Sequence, residues 1–370
     1  MHSPVRRECI QKAVFAPDPA IPDKVGIGKH VLNRFRLAVA DERNGKEHGV
    51  SIVMTRDCFN RCYHCYENAE PGKPGNLKPE FYPKIIDNVA ELNNGVYPRV
   101  YQITGGDPMK RPRETLALAR ELGARAGAKR VQIRTTGIAA LTGEGRRCFE
   151  ELAKLPYVEV VVGLGVFQRK YISEVDFGGD FGKAAGFMKR AFGTLQELFG
   201  DKFWVVSENI PREEENQLLS LIDLVVGEVS LNPFGRGADD ENRTIATTTE
   251  RYCTCHSLTY IFYGGEFGKV GLEPTYYGMD KGDTRVWIDS FGGLHISAQP
   301  TAPILDLTAD KPLETIKPDS FAVNLMYGGP LWVAQEMLGW EPRRITAYWQ
   351  NGDICRLCYE LKEHFHPELC

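Results

Sequence analysis

Apolar residues alternate between two periodicities from residue 50 to residue 231. Short runs rich in β-branched residues are typical of buried strands, and the longer segments between them carry apolar residues at helical spacing. Six strands are predicted, at 50–55, 100–104, 130–135, 158–166, 202–208 and 224–231. Five helices are predicted between them, at 79–94, 113–127, 143–154, 181–199 and 212–223. This alternation predicts βαβ units around a parallel sheet, joined by right-handed crossovers.

The order of strands and helices predicts an α/β fold with a partial (β/α)6 TIM-like barrel. A closed barrel needs eight units, and here the rhythm stops near residue 236, after six strands. We expect an N-terminal segment over 1–48, a barrel over 49–240 and a smaller C-terminal α+β extension over 241–370, with a hairpin near 285–297. In such barrels the catalytic side chains lie at the carboxyl ends of the strands.

The composition excludes several classes of protein. The 370-residue chain has 45 Lys plus Arg against 49 Asp plus Glu, a net charge of −4, with 42% hydrophobic and 25% charged residues. These values are typical of a folded globular protein, and they lack the basic excess of a nucleic-acid-binding protein. No apolar stretch is long enough to cross a membrane and no signal peptide is evident, so we expect a soluble, cytoplasmic protein. In a reducing cytoplasm, clustered cysteines bind metal or carry out redox chemistry more often than they form disulfides.

Three of the ten cysteines form a compact motif just after the first predicted strand. Cys58, Cys62 and Cys65 have the spacing Cys-x3-Cys-x2-Cys, and three thiolates this close in sequence can converge on one metal site. An iron-sulfur cluster normally has four cysteine ligands, so three leave one iron open to a substrate or cofactor. A structural zinc site, with His64 or a distant cysteine as fourth ligand, is the alternative.

Four further motifs follow the cysteine loop at the ends of later strands. They are Gly105-Gly106-Asp107-Pro108, Thr135-Thr136-Gly137, Gly163-Leu164-Gly165 and Asn232-Pro233-Phe234-Gly235-Arg236-Gly237. Together with the cysteine loop, and in this order, they resemble the motifs of the radical S-adenosylmethionine (radical SAM) superfamily. The resemblance covers residues 49 to 240, and one motif carries Asp107 where the family usually has Glu.

The resemblance implies a 4Fe-4S cluster held by Cys58, Cys62 and Cys65, with S-adenosylmethionine (SAM) on the fourth iron. It implies one-electron cleavage of SAM to a 5′-deoxyadenosyl radical, which abstracts hydrogen from a substrate. The motif after the second strand would hold the methionine amino group of SAM. The SAM-binding residues that it implies are His64, Gly105, Gly106, Asp107, Pro108, Thr135, Thr136, Gly163, Leu164 and Asn232. No catalytic side chain is assigned.

The C-terminal cysteines resemble those of the SPASM and twitch extensions, which hold auxiliary iron-sulfur clusters. Ser297 stands where such extensions have a cysteine, five residues after Gly292, so two auxiliary clusters are not expected. One auxiliary cluster is possible by count, and a zinc site or unliganded thiols are the alternatives. Its ligands would be Cys255, Cys355, Cys358 and Cys370, with Cys253 as an alternative.

The resemblance to SPASM proteins favours a peptide or a natural-product intermediate as substrate, changed by oxidation, crosslinking or epimerisation. An amino-sugar or nucleoside intermediate is the alternative substrate, and a non-catalytic zinc-binding scaffold is the alternative of another class. Radical SAM chemistry also needs an electron donor such as flavodoxin or ferredoxin. The basic run 110–134 could bind such an acidic partner, or it could be a solvated helix face. Neither nucleic acid nor a membrane is expected as a partner.

Overall fold

The computed structural model describes residues 24–40, 49–62, 65, 67–163, 172, 176–208, 226–229, 286–295, 303–324, 333–341, 343–344 and a few single positions after 356. The chain divides into two compact units. One consists of Gly49–Glu250 with Trp287–Gly293, and the other of Met1–His48, Arg251–Val286 and Leu294–Cys370. The first unit contains the cysteine loop.

Six parallel strands form the sheet of the first unit. They are β1 (Val50–Thr55), β2 (Val100–Gly105), β3 (Arg130–Thr135), β4 (Val158–Gly163), β5 (Phe203–Glu208) and β6 (Val226–Val229). Each strand pairs in parallel with the next one in the sequence, so the sheet order across this unit is β6-β5-β4-β3-β2-β1. A strand order that never reverses is that of a barrel, because a doubly wound sheet must change direction at its switch point.

The described helices are α1 (Lys24–Ala40), α2 (Tyr82–Leu92), α3 (Pro112–Ala126), α4 (Gly143–Ala153) and α5 (Phe181–Phe199). Helices α2 to α5 belong to the barrel unit, and each packs against the next. Two of them begin at a side-chain cap: Thr142 accepts from the Gly145 amide at 3.1 Å and Asp180 from the Lys183 amide at 3.0 Å. Helix α3 ends at Gly127, whose φ of +60° allows the left-handed C-cap.

The two faces of the sheet differ in polarity. One face carries Met54, Ile103 and Phe203 and packs against the helices, where the Phe192 and Phe203 rings lie 6.2 Å apart. On the opposite face, register partners form a polar row across four strands. Ser51 Oγ donates to Gln102 at 3.2 Å, Gln102 Nε2 to Gln132 at 3.2 Å, and Gln132 Nε2 to Glu159 at 3.5 Å. The sheet is therefore apolar towards the helices and polar on the side that faces away from them.

A hairpin and several short elements complete the described residues. Strands β7 (Val286–Ile288) and β8 (Gly293–His295) are joined where the Asp289 amide donates to the Gly293 carbonyl at 2.9 Å. Strand β9 (Leu305–Asp306), a 3-10 helix over Pro312–Thr315 and a π-helix over Val333–Met337 belong to the second unit. None of the described helices is long and apolar enough to span a bilayer.

The predicted α/β class with a partial barrel is confirmed, with differences at the ends of elements. The segment predicted as a helix from residue 79 begins with a 3-10 turn over Pro79–Phe81. Strand β5 starts at Phe203 and not at residue 202, because a 3-10 turn covers Gly200–Lys202. The helix predicted at 212–223 lies outside the described residues. The domain boundaries at 48 and 240 stay predictions.

Helix α1 was not predicted, because the first 48 residues were assigned no element. Ile27, Val31 and Phe35 follow one another at intervals of four and are fully buried. That interval places side chains on one face of a helix. The signal was therefore present in the sequence.

We predict that Phe149→Ala lowers the free energy of unfolding by about 3–5 kcal/mol, because it removes a large side chain from a packed site. Phe149 is fully buried, and its ring meets that of Phe199 edge to face at 6.1 Å. Urea denaturation measures the loss. Phe291→Ala is the matched control, since Phe291 is 60% exposed and should change stability by less than about 0.5 kcal/mol. Equal losses in the two variants would contradict the predicted packing.

Candidate functional site

The candidate site lies where the first three parallel strands end at the same edge of the sheet. Cys58 follows the end of β1 by three residues. The loop that carries it folds back on itself: Arg56 donates from its amide to the Gly75 carbonyl at 2.9 Å, Cys58 to Glu70 at 3.2 Å and Glu70 to Arg56 at 3.3 Å. The cysteine motif is thus held by backbone pairing and is not an open loop.

None of the three cysteines of the motif forms a disulfide, and all three lie in a mostly buried setting. Cys58 and Cys62 are buried and Cys65 is half-buried. Backbone amides point at two of the sulfurs, since Asn60 N–H donates to Cys58 Sγ at 3.4 Å and Ala69 N–H to Cys65 Sγ at 3.3 Å. Such donors stabilise the charge of a metal-bound thiolate.

Burial raises the pKa of the Cys58 thiol well above its usual value, and the nearby charge of Asp107 raises it further. Cys58 would therefore be a neutral thiol unless a positive ligand deprotonates it. Metal coordination does this directly.

The residues of the loop fit a multi-iron cluster. The donor set is three soft thiols, and the side-chain amide of Asn60, between Cys58 and Cys62, is buried with no hydrogen-bond partner on either Nδ2 or Oδ1 within the described part of the chain. Among the described residues, no group of three His, Cys, Asp or Glu side chains converges as it would around a single ion.

Gly105, the last residue of β2, and Gly106 after it lie directly against the cysteine loop. Gly106 N–H donates to the Thr55 carbonyl at 2.7 Å, and Asp107 N–H donates to the Asp57 carbonyl at 2.9 Å. A Cβ at Gly106 would lie 2.3 Å from the Asp57 carbonyl oxygen, and one at Gly105, where φ is +132°, equally close to that of Thr55. Backbone packing alone therefore requires the Gly-Gly pair. The sequence motif predicts a further role for it, in contact with SAM.

Asp107 has no exposed surface, and four hydrogen-bond donors meet its carboxylate. Met109 N–H donates at 2.9 Å, Thr135 Oγ1 at 2.8 Å, and Thr136 through both its amide at 2.9 Å and its hydroxyl at 2.5 Å. Burial raises the pKa of this carboxyl, and the hydrogen bonds from Thr136, Thr135 and Met109 oppose that rise. The side chain ties the end of β2 to the end of β3, which sequence reasoning missed.

Thr135 and Thr136 also hydrogen-bond the turn that follows β3. Thr135 Oγ1 accepts from Gly137 N–H at 3.1 Å and Thr136 Oγ1 from Ile138 N–H at 3.4 Å, at the start of the 3-10 helix Ile138–Leu141. Gly137 begins that helix with φ of +80°. On the other side of Asp107, buried Pro108 begins the 3-10 helix Pro108–Lys110. Gly163 is the last residue of β4 and pairs with Val206 of β5. Gly105, Gly106, Asp107, Thr135 and Thr136 are thus connected by hydrogen bonds or backbone contact.

Several predicted site residues lie outside the described part of the chain. They are His64, Leu164 and Asn232 of the SAM motifs, Ser297 of the hairpin, and the auxiliary-cluster candidates Cys253, Cys255, Cys355, Cys358 and Cys370. Their roles stay predictions. The buried amide of Asn60 was not singled out from the sequence, although its position between two cysteines was the available signal.

Most cations of the basic run 110–134 are paired with acidic side chains, mainly from neighbouring elements. Among the described residues, ion pairs join Lys110 with Asp57, Arg113 with Glu144, Arg120 with Glu151, Arg125 with Asp87 and Glu121, and Arg130 with Glu159. Pairing of this kind favours a solvated helix face and weakens the electrostatic case for docking an acidic electron donor here.

Comparison with known proteins gives one family match. Residues 52–193 match the family model described as "Radical SAM superfamily". Among solved structures, the chain resembles anSMEcpe with bound AdoMet and Cp18Cys peptide, at 12% identity and a TM-score of 0.44, over 87% of this chain and 98% of that one. It also resembles HydG, a maturase of the [FeFe]-hydrogenase, at 11% identity and a TM-score of 0.37, over 100% of this chain and 93% of that one. No curated protein sequence matches.

We predict that Gly106→Ala destabilises the protein by about 1–3 kcal/mol and lowers its iron content after reconstitution, because the new Cβ displaces the cysteine loop. Gly143→Ala is the control. No heavy atom lies within 4 Å of a Cβ at Gly143, so this change should stabilise by about 0.4–1 kcal/mol. Urea denaturation and an iron assay measure both variants. Full iron binding by Gly106→Ala would show that the glycine pair does not hold the loop in place.

Proposed function

We propose that this chain, whose residues 52–193 match the radical SAM superfamily, uses a 4Fe-4S cluster and S-adenosylmethionine to abstract hydrogen from a peptide or natural-product intermediate. The outcome would be oxidation, crosslinking or epimerisation of that substrate. The observation that carries the proposal is the cysteine loop itself: three cysteines at the carboxyl edge of a parallel sheet, with backbone N–H groups donating to two of their sulfurs.

Cys58, Cys62 and Cys65 would hold the cluster, and the loop backbone supports this role by directing N–H groups at two of the sulfurs. When bound, the cluster supplies the single electron that cleaves SAM to a 5′-deoxyadenosyl radical. The role of the protein is to bind and orient the reactants and to exclude water from them.

The ends of β2 and β3 would bind SAM. Gly105 and Gly106 run against the cysteine loop, so a molecule bound to their backbone would lie beside the cluster ligands. Asp107 would act by holding Thr136 and the turn after it in position, because its carboxylate is already met by protein donors. The shorter Asp in place of the family's usual Glu supports this internal role.

The face of the sheet opposite the helices supports a polar substrate. It carries the row Ser51, Gln102, Gln132 and Glu159, and on β5 the 53% exposed Trp204. The row lies in the amino-terminal half of each strand, away from the cysteine loop, so a substrate that extends into the barrel would reach its amide and carboxylate groups. The resemblance of the C-terminal cysteines to SPASM extensions supports a peptide independently of these groups.

We predict that Cys62→Ala abolishes formation of 5′-deoxyadenosine from SAM and removes most of the bound iron, because a cubane with two protein ligands is not retained. Cys148→Ala is the matched control, since Cys148 is also a free, buried cysteine but lies in α4. Anaerobically purified protein is assayed for iron, zinc, visible absorption and 5′-deoxyadenosine. Retained turnover in Cys62→Ala would contradict the ligand assignment, and a colourless wild-type protein with stoichiometric zinc would support the scaffold alternative.

We further propose one auxiliary cluster in the C-terminal region, with Cys355 and Cys358 among its ligands. Wild-type protein should then bind eight irons per chain after reconstitution, about twice the four of a single cubane. The double change of Cys355→Ala with Cys358→Ala should halve the iron and leave the SAM cluster in place. Iron analysis and the EPR spectrum of the reduced protein measure this. Four irons in both proteins would rule out the auxiliary cluster.

A further inference from the structure

Asn60 is a buried polar residue for which the fold itself provides no use. It lies between Cys58 and Cys62 and is 1% exposed. Neither Nδ2 nor Oδ1 has a hydrogen-bond partner within the described part of the chain. An unmade hydrogen bond of a buried group costs about 1–3 kcal/mol. An amide in this position is therefore retained at a cost in stability, and a partner that arrives with a ligand would account for it.

The surroundings of Asn60 restrict what that partner can be. Two backbone amides of the loop are already paired: Cys58 N–H donates to the Glu70 carbonyl at 3.2 Å and Cys65 N–H to the Cys62 carbonyl at 3.2 Å. The backbone amide of Asn60 itself donates to Cys58 Sγ at 3.4 Å. The backbone amide of Asn60 thus already donates to a sulfur atom. A bound iron-sulfur cluster would place further sulfur atoms in the same loop.

We propose that the side chain of Asn60 donates a hydrogen bond from Nδ2 to a sulfur of the cluster held by Cys58, Cys62 and Cys65. This inference rests on the proposed function. A hydrogen bond to a cluster sulfur withdraws electron density and stabilises the reduced form, so it raises the reduction potential. Asn60 would then make the cluster easier to reduce by a cellular electron donor and would also help to retain it.

The proposal predicts opposite effects of Asn60→Leu in the protein with the cluster and in the protein without it, and both effects can be measured. Without the cluster, the variant should have a higher urea midpoint than the wild type, because it replaces an unpaired buried amide with an apolar side chain of similar volume. With the cluster, it should have a more negative midpoint potential in an EPR-monitored redox titration. Its iron should be released to a chelator about 10-fold faster, the lower end of the usual effect of losing an outer partner of a metal site.

Asn88→Leu is the matched control, since Asn88 is a buried asparagine in α2, at 6% exposure and outside the loop. It should leave the midpoint potential and the rate of iron release unchanged. Asn60→Ala is a second variant that removes the donor without adding volume, and its potential should shift in the same direction as that of Asn60→Leu.

Labelling provides a test that needs no variant. Wild-type protein carrying asparagine labelled with 15N at the side-chain amide alone should show a nitrogen coupling to the reduced cluster by pulsed EPR, and Asn60→Leu should lack it.

Three outcomes would overturn the proposal. They are an unchanged potential in Asn60→Leu, a lower urea midpoint of the unloaded variant, and no asparagine coupling in the wild type. Each of these is distinguishable from failure of the proposed function. If the wild-type protein binds no iron, the function itself is wrong, whereas an iron-loaded protein that is indifferent to Asn60 leaves the function intact.

Discussion

The buried carboxylate of Asp107 is the interaction on which the candidate site depends. It stands at the end of β2 and receives donors from Met109 on one side and from Thr135 and Thr136 on the other. Its own backbone amide donates to Asp57, one residue before the first cysteine. A single residue therefore joins the cysteine loop, the glycine pair and the end of β3. A buried charge is stable only when it is fully hydrogen-bonded, so these three segments hold one another in position.

This network explains why the barrel topology matters for the site. Parallel strands in sequence order bring the ends of β1, β2 and β3 to one edge of the sheet. The glycines permit the end of β2 to approach the loop after β1 more closely than any side chain would allow. The apolar face of the sheet packs against the helices, and this leaves the opposite face free for polar groups. The fold and the chemistry thus use different faces and ends of the same strands.

Much of this arrangement could be predicted from the sequence, because it depends on local signals. The β-branched runs located five of the barrel strands to within about two residues, and the cysteine spacing located the loop. The role of the Asp107 side chain could not be predicted, since its partners on β3 are about 28 residues away and only the register of β2 against β3 brings them together. Helix α1 was missed although its signal, buried Ile27, Val31 and Phe35 at intervals of four, is local. The ion pairs of the basic run were missed for the same reason as the role of Asp107: Glu144 and Glu151 lie on the next helix.

Trp204 has a consequence for how this protein can be observed. Its indole is 53% exposed on β5, the strand whose Phe203 packs against α5, so it lies on the side of the sheet turned away from the helices. Indole fluorescence responds to the polarity and the quenchers around the ring. Trp204 is one of five tryptophans in the chain, so the part of the emission that a Trp204→Phe variant loses would report, without any attached label, whether a molecule has entered the barrel interior.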